Sequence, residues 1–253
     1  LVCVDDLPIA GGRQDDAAER RAIRQGLLAA LAKHRIAAVG FVTWRNVRQP
    51  GDQQLLESWL RAGHELGNHT DRHLSLTSNE VATWIADAEA ARVRLQDFLQ
   101  GRGRTLRFFR FPFLREGESE AKLAAARAWL DRTGQRNLSV TIDDQDWSFE
   151  EPWVTAERAG DRTALAQVTE DYLAALRLMV RHHEKHGDEL LGRTSPQILL
   201  LHANAVGAAN WDRLFTWLEE TGHRFASADE LLADPVFAEL PRLPATHGFS
   251  LWD

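Results

Sequence analysis

Residues 37–68 read AAVGFVT-WRNVRQPGDQQLLESWLRA-GHELGN, and this stretch contains the pattern that decides the fold. Residues 37–43 form a short apolar run typical of a buried strand, residues 53–62 carry apolar side chains at helical spacing, and residues 64–68 form a second short run. A helix between two strands of one sheet is a crossover connection, and it makes the strands parallel. The stretch therefore predicts a strand–helix–strand unit of a parallel sheet.

The same alternation continues along the whole chain. Strands are predicted at residues 2–5, 37–43, 64–68, 106–110, 138–142, 197–201 and 224–226. Helices are predicted at residues 16–34, 53–62, 79–100, 118–133, 162–186 and 210–221. About seven parallel strands alternating with helices predict an α/β fold, either a barrel or a strongly curled sheet. We interpret residues 1–253 as one domain with a helical elaboration at about 151–196, a segment longer than one crossover requires.

Composition excludes several classes of protein. A chain of 253 residues with 44% hydrophobic residues is long enough to bury its own core, and its one cysteine, Cys3, excludes an intrachain disulfide scaffold. The net charge of −7 comes from 37 acidic and 30 basic residues that are dispersed, so no nucleic-acid partner is expected. No apolar run approaches the ~20 residues of a membrane span.

The N-terminal residues already read as a strand, without a preceding segment. We therefore expect a longer native N-terminus and an exported protein, either periplasmic or secreted. The sequence leaves the oligomeric state open.

Chemically reactive side chains follow the predicted strands. In barrels of alternating strands and helices, functional groups lie at the carboxyl ends of the strands, because the loops there form one open face. Five separate segments place carboxylates, imidazoles and a guanidinium at that face: Asp5 and Asp6, His69 and His73, Arg110, Asp146, and His202.

Two histidines are the first candidates for a metal site. His69 and His73 are four residues apart, a spacing that places both imidazoles on one face of a helical turn and suits one metal ion. The same spacing also occurs on solvated helices, and His182 and His186 repeat it among charged residues. Spacing alone therefore leaves both metal binding and a solvated helix face open.

Each of the other candidate residues is also consistent with either a functional or a structural role. Asp5 and Asp6 are adjacent, so one can bind a metal while the other acts as a base, or both can cap the following turn. Arg110 stands in an apolar run and needs a carboxylate partner, which is also what a structural ion pair would provide. His202 follows an apolar strand and is either a catalytic group or a histidine of the core.

Taken in order, the motifs resemble a known family. They are VDDLP at 4–8, GNHTDRH at 67–73, RFP at 110–112, DW at 146–147 and LLH at 200–202. This set resembles the five motifs of the polysaccharide deacetylases with the NodB-homology fold, also called carbohydrate esterase family 4. The resemblance implies a distorted (β/α) barrel and metal-dependent removal of acetyl groups from N-acetylated or O-acetylated sugars. The expected partner is an acetylated glycan or a small acetylated sugar.

The resemblance also implies roles for individual residues. Asp5 corresponds to the general base and His202 to the general acid. The implied metal ligands are Asp6, His69 and His73, and the implied ion is divalent, Zn²⁺ first, with Co²⁺ or Ni²⁺ as substitutes.

Supporting roles follow in the same way. Arg110 corresponds to the residue that holds the base, and Asp146 to the residue that orients the acid. We expect Arg110 to favour the ionised form of Asp5, and Asp146 to raise the pKa of His202. Substrate contacts are implied for Trp147, Leu200 and Pro112. One position departs from the family, because Leu7 stands where glycine is usual, and we expect its side chain to reshape the turn or narrow the cleft.

Two other functions remain open at this stage. Two histidines and one aspartate also describe the facial triad of non-haem Fe(II) oxygenases. That reading leaves Asp5, Arg110 and His202 without roles, and those oxygenases normally have a β-sandwich scaffold. The second alternative is a non-catalytic carbohydrate-binding protein on a deacetylase scaffold, which would be expected to lose the base or the acid first.

Overall fold

A computed structural model describes residues 1–10, 16–237 and 250–252 of the chain. At its centre is a sheet of seven parallel strands in the order β5-β4-β3-β2-β1-β7-β6. Their bounds are β1 Val2–Leu7, β2 Val39–Val42, β3 Glu65–Asn68, β4 Phe108–Phe109, β5 Arg136–Asn137, β6 Ile142–Asp143 and β7 Leu199–His202. The predicted α/β fold with about seven parallel strands is confirmed.

The sheet curls strongly. β5 and β6 form its two opposite edges, yet only residues 138–141 separate them in the chain. A segment of this length spans at most roughly 3.3–3.6 Å per residue, so the two edges must lie close together. Leu138 N–H donates to the Phe109 carbonyl on one side, and Thr141 N–H donates to the Ile198 carbonyl on the other. The result is the half-barrel that the alternation predicts.

Helices surround this sheet. Their bounds are α1 Ala17–Lys33, α2 Pro50–Arg61, α3 Val81–Gln100, α4 Glu120–Thr133, α5 Glu150–Ala159, α6 Arg162–Leu191, α7 Ala205–Glu220 and α8 Ala228–Leu231. Short 3₁₀ turns cover Trp44–Asn46, Pro112–Leu114, Asp146–Phe149 and Pro235–Phe237. Within the described residues, no helix has both the length and the apolar character that crossing a membrane requires.

Two of the predicted strands are wrong. Residues 224–226 form no strand, because β7 already pairs with β1 and β6 and has no free edge, and Phe225 packs against the core instead. Residues 138–142 are mainly the link between the sheet edges, and the regular strands β5 and β6 flank that link. Leu138 and Val140 are buried there, and apolar residues at alternate positions give this link the sequence pattern of a strand.

The Leu7 side chain lies in the core, where it fills the space above Gly40 of β2. A Cβ atom at Gly40 would stand 2.2 Å from Leu7 Cδ1, and Leu7 is fully buried. The register of β1 against β2 shifts between Val4 and Leu7, so the chain turns this side chain into the sheet interface. The expectation that Leu7 narrows the cleft is wrong, because its side chain does not line the cleft.

Replacing Leu7 by alanine is expected to destabilise the fold. Because the side chain is fully buried, the loss of its apolar contacts and the cavity left against Gly40 should cost about 2–5 kcal/mol in the free energy of unfolding. Urea denaturation of Leu7→Ala measures this loss, with the exposed Leu178→Ala as a matched control. A loss no larger than that of the control would contradict the packing described.

Candidate active site

The two adjacent carboxylates of β1 reach the same cavity through an irregularity in the strand. Asp5 pairs in register with His202 of β7, whereas Asp6 has a left-handed backbone with φ 64°. The shifted register between Val4 and Leu7 re-aims the side chains, as bulges near active sites commonly do. Both carboxylates therefore line one cavity, although regular strand alternation would have separated them.

This cavity lies at the carboxyl ends of the strands and has a volume of about 530 Å³. Of the predicted site residues, the following line it: Asp5, Asp6, His69, His73, Trp147, Leu200 and His202. Arg110 and Asp146 lie behind the lining, in contact with residues that do line it. A larger cavity, of about 690 Å³, lies near Leu1 and Leu199 at the opposite ends of β1 and β7, and contains none of the predicted site residues.

Asp6, His69 and His73 form a cluster suited to a metal ion. One ligand atom from each lies within 4.8 Å of the others, and no second cluster of this kind occurs in the parts of the chain that the structure describes. His73 Nε2 is 3.2 Å from His69 Nε2 and 3.7 Å from Asp6 Oδ1. His69 Nδ1–H donates to the Arg110 carbonyl at 2.9 Å, so Nε2 keeps its lone pair for a ligand.

The two histidines meet in a loop and not on a helix, contrary to the reading of their spacing. The segment after β3 has no helical structure, and two of its residues, Thr70 (φ 66°) and His73 (φ 60°), have left-handed backbones.

Outside the ligand set, Thr43 Oγ1–H donates to Asp6 Oδ1 at 2.8 Å. Such contacts orient a ligand, and no local sequence signal marks Thr43 for this role.

The protonation states of the cluster suit metal binding. Burial lowers the pKa of His69 to about 4, and burial together with His69 lowers the pKa of His73 to about 4. Burial alone would raise the pKa of Asp6, but His73 and His69 outweigh it and lower that pKa. Two neutral imidazoles and one ionised carboxylate are a common donor set for Zn²⁺ with an open coordination position.

Asp5 lies beside the cluster and is almost fully buried. Its Oδ2 is 3.7 Å from His69 Nε2 and 3.9 Å from Arg110 Nε. Burial raises the pKa of Asp5, and the neighbouring Arg110 opposes this rise without overcoming it. Arg110 favours the ionised form of Asp5, as expected, but burial has the larger effect on the pKa of Asp5. A carboxylate with a raised pKa is better matched to accepting a proton near neutral pH.

Arg110 is itself buried, and its guanidinium carbon lies 4.7 Å from the centre of the Phe41 ring. Asp5 is its acidic neighbour, although none of its guanidinium nitrogens makes a hydrogen bond. Arg110 also offers its carbonyl to His69, so one residue contacts both the proposed base and a proposed ligand.

His202 and Asp146 form a close pair on the other side of the cavity. His202 Nδ1–H donates to Asp146 Oδ1 at 2.5 Å, and the His202 backbone N–H donates to Asp146 Oδ2 at 2.9 Å. Burial alone would lower the pKa of His202, but the Asp146 carboxylate dominates and raises that pKa to about 10. The imidazole is therefore protonated at neutral pH, with Nε2 as its remaining proton donor.

Two further residues, both missed by sequence reasoning, hold this pair. Asn204 donates to Asp146 Oδ2 at 3.2 Å and caps α7 by accepting from Gly207 N–H at 2.8 Å. The Glu150 carboxylate accepts the backbone N–H groups of Ala205 and Val206 at 3.1 and 3.0 Å. Glu150 and Ala205 are 55 residues apart, so no local pattern reveals this contact.

Aromatic side chains flank the mouth of the cavity. Trp147 is 59% exposed and Phe113 is 54% exposed, and both line the cavity together with the buried Leu200. Pro112 is buried and does not line it, because its ring starts the 3₁₀ turn that carries Phe113 forward. Phe113, whose φ of 59° is left-handed, lines the cavity at the place expected of Pro112. In the sequence, the only indication of this role for Phe113 is that it directly follows Pro112.

Removing either histidine is expected to abolish metal retention. His69→Ala and His73→Ala each delete one of the ligand atoms that lie within 4.8 Å of one another. Metal content after dialysis and titration with Zn²⁺ measure the effect, and His182→Ala, from the other histidine pair, is the control. Metal retention by both variants at the level of the control would reject the site.

Comparison with known proteins supplies the remaining evidence. A family model described as polysaccharide deacetylase matches residues 2–129, slightly more than half of the 253 residues. A comparison with curated protein sequences gives no significant match.

Solved structures share the fold. A CE4 family pseudoenzyme from Bacillus anthracis is 17% identical with a TM-score of 0.62, covering 91% of this chain and 64% of that one. The peptidoglycan deacetylase PdaC from Bacillus subtilis is 16% identical with a TM-score of 0.56, covering 92% and 88%. A family 4 carbohydrate esterase from Streptomyces lividans, in complex with acetate, is 21% identical with a TM-score of 0.53, covering 89% of each chain.

These identities show a common fold alone, and the chain spans about two thirds of the length of the pseudoenzyme. The family model is the stronger finding, since its match contains both carboxylates of β1, both histidines of the cluster and Arg110. The chain therefore belongs to the polysaccharide deacetylase family.

Proposed function

We propose that this protein is a metal-dependent hydrolase that removes acetyl groups from an N-acetylated or O-acetylated sugar. One observation carries the proposal: a candidate metal cluster, a buried carboxylate and a protonated imidazole face a single cavity at the carboxyl ends of the strands. Metal-assisted acetyl hydrolysis uses these three elements, namely an electrophilic centre, a base for water and an acid for the leaving group.

The proposed ligands are Asp6, His69 and His73, and the proposed ion is Zn²⁺, with Co²⁺ or Ni²⁺ as functional substitutes. A divalent ion supplies Lewis acidity, which polarises the acetyl carbonyl and makes a water molecule more acidic. The fit rests on the two neutral imidazoles, the ionised carboxylate and the free Nε2 of His69.

The residues around the cluster perform the proton transfers in this proposal. Asp5 accepts the proton of the attacking water, and Arg110 holds its carboxylate in place. His202 then donates a proton to the departing amine or alcohol, a step typically worth about 10²- to 10⁴-fold in rate. Asp146 keeps the imidazole charged and oriented. Trp147, Leu200 and Phe113 enclose the acetyl group and the sugar next to it.

A non-catalytic binding protein is the main alternative, since one structural neighbour is described as a pseudoenzyme. The presence of both the proposed base and the proposed acid in this chain supports catalysis. An Fe(II) oxygenase is disfavoured, because the parallel half-barrel differs from the β-sandwich scaffold usual for that chemistry. Oxygen consumption by the Fe(II)-loaded protein tests this second alternative.

Release of free acetate tests the proposed function. Chitin oligomers, peptidoglycan fragments and acetylated xylan are each incubated with Zn²⁺-loaded protein, with chelator-treated protein, and with chelator-treated protein to which Zn²⁺ is returned. We expect release by the first and third preparations only, and the substrate that responds shows whether an amide or an ester is cleaved. Binding of these glycans without acetate release from any of them would favour the non-catalytic alternative.

Polymeric glycans of this kind lie outside the cytoplasm, so we also propose that the protein is exported. One fold neighbour is described as a peptidoglycan deacetylase, which supports this placement without testing it. Fractionation of cells that express the full-length natural protein decides the matter, and recovery in the cytoplasmic fraction alone would contradict it.

A further inference from the structure

Arg115 is a cation in the cavity lining that contacts the Phe113 ring and has no carboxylate partner among the described residues. It follows the 3₁₀ turn Pro112–Leu114 and is half-buried in the lining. Its Nε atom is buried and makes no hydrogen bond. Across residues 1–10, 16–237 and 250–252, no carboxylate lies within 4.0 Å of its guanidinium. The guanidinium is therefore only partly buried and keeps hydrogen-bonding capacity for an anionic ligand.

The other charged groups of the lining each have an oppositely charged or hydrogen-bonding neighbour, although the Asp5 Oδ1 atom makes no hydrogen bond. Asp6 accepts from Thr43, Asp143 accepts from Gln145 N–H, and Glu150 caps α7. Asp5 has His69 and Arg110 nearby, and His202 is bonded to Asp146. None of these carboxylates pairs with Arg115 in the part of the chain that the structure describes, which leaves its guanidinium available to a ligand.

Arg115 also lies close to the proposed reaction centre. The Phe113 ring is 4.4 Å from the His73 ring and 5.8 Å from the guanidinium carbon of Arg115, so that carbon lies within about 10 Å of the His73 ring. A sugar whose acetyl group reaches the cluster would place its own neighbouring substituents in this part of the cavity. Such substituents would meet Arg115 on the Phe113 side of the cavity.

We propose that Arg115 binds a carboxylate of the substrate, so that the preferred substrate is an acetylated saccharide with an acidic group near the acetylated position. This inference rests on the proposed function and specifies its substrate class. A guanidinium matches a carboxylate with two parallel hydrogen bonds. The carboxylate can belong to a hexuronic acid unit or to a carboxyalkyl ether on an amino sugar.

The competing reading is structural. Arg115 lies near the face of the Phe113 ring and would then only support that ring in its left-handed conformation. A supporting role affects every substrate equally, whereas carboxylate binding affects acidic substrates alone. Pairs of substrates that differ only in charge therefore separate the two readings.

The experiment compares KM for two acetylated disaccharides, one with a hexuronate and one with a carboxyalkyl ether, each as the free acid and as its neutral methyl ester. The proteins are the wild type, Arg115→Gln, Arg115→Lys and the control Arg104→Gln, which removes an exposed arginine in the loop before β4. We expect Arg115→Gln to raise KM for a free acid by roughly 10- to 100-fold and to leave the ester nearly unchanged. Arg115→Lys should restore part of the loss, and added salt should weaken binding of the acid only.

Equal losses on acid and ester, or a wild type that does not prefer either acid, would overturn the assignment of Arg115. Failure of the wild type to release acetate from any of the four compounds would instead refute the proposed function. In that case, the affinities of the wild type and of Arg115→Gln for the two free acids, measured by calorimetry, test whether Arg115 binds a carboxylate. Equal affinity in the wild type and in Arg115→Gln would then reject the carboxylate site.

Discussion

Asp5→Asn is expected to lower acetate release by roughly 10²- to 10⁴-fold while the metal stays bound. The amide cannot accept the proton of the attacking water, whereas the proposed ligands Asp6, His69 and His73 are unchanged. Asp5 is buried and has a raised pKa because of that burial, which marks it as a proton acceptor and not as a permanently ionised ligand. The adjacent carboxylates thus differ in the direction of their pKa shifts, since the histidines lower the pKa of Asp6.

Turnover and metal content are measured on the same preparations, with the exposed Asp171→Asn as a control for loss of a carboxylate. An Asp5→Asn variant that remains active would refute the role of the base. A variant that loses both activity and metal would instead make Asp5 a ligand.

His202→Ala is expected to lower the rate by roughly 10²-fold or more on a sugar amide, because an amine leaving group must be protonated. The loss should be smaller on an aryl acetate, whose leaving group departs without protonation. His202 is active as an acid only while protonated, so the rate should fall as pH rises through its pKa of about 10.

Asp146→Asn should move that alkaline limb to lower pH and reduce the maximal rate more modestly. Without the carboxylate, burial remains and lowers the pKa of His202, so the acid loses its proton at a lower pH. Rate profiles against pH for the wild type and both variants, on an amide and on an aryl ester, measure these effects. Equal losses for His202→Ala on both substrates, together with an unshifted limb for Asp146→Asn, would assign His202 a structural role.

The sequence predicted the fold from periodicity, because the parallel strands are short apolar runs with helices between them. It also placed the reactive residues after the strands that carry them. It failed at residues 138–142, where buried Leu138 and Val140 belong mainly to a link between sheet edges. Period-two burial is the same in a strand and in an extended buried link, so only the pairing partners separate the two.

The site was less predictable than the fold. Thr43, Glu150 and Asn204 act through contacts with residues distant in sequence, which no local pattern records. The helical reading of His69 and His73 was wrong, because residue spacing says nothing about a left-handed turn. Arg115 was missed for a different reason: an arginine without a carboxylate partner is recognised only when its surroundings are known.

Several residues of the site have left-handed backbones, so the geometry of the site carries a cost in thermal stability. Asp6, Thr70, His73 and Phe113 all have φ between 59° and 66°, and such non-glycine positions cost of order 1–3 kcal/mol each. Selection for thermal stability alone would favour glycine at Thr70, where a β-branched side chain is least tolerated, and would loosen the loop that holds both histidines. A lineage released from catalysis is no longer required to keep these four conformations, although glycine at Thr70 would also lose the hydrogen bond that Thr70 Oγ1 accepts from His73 N–H. Inactive descendants of this scaffold can therefore relax the loops of the site without loss of the barrel.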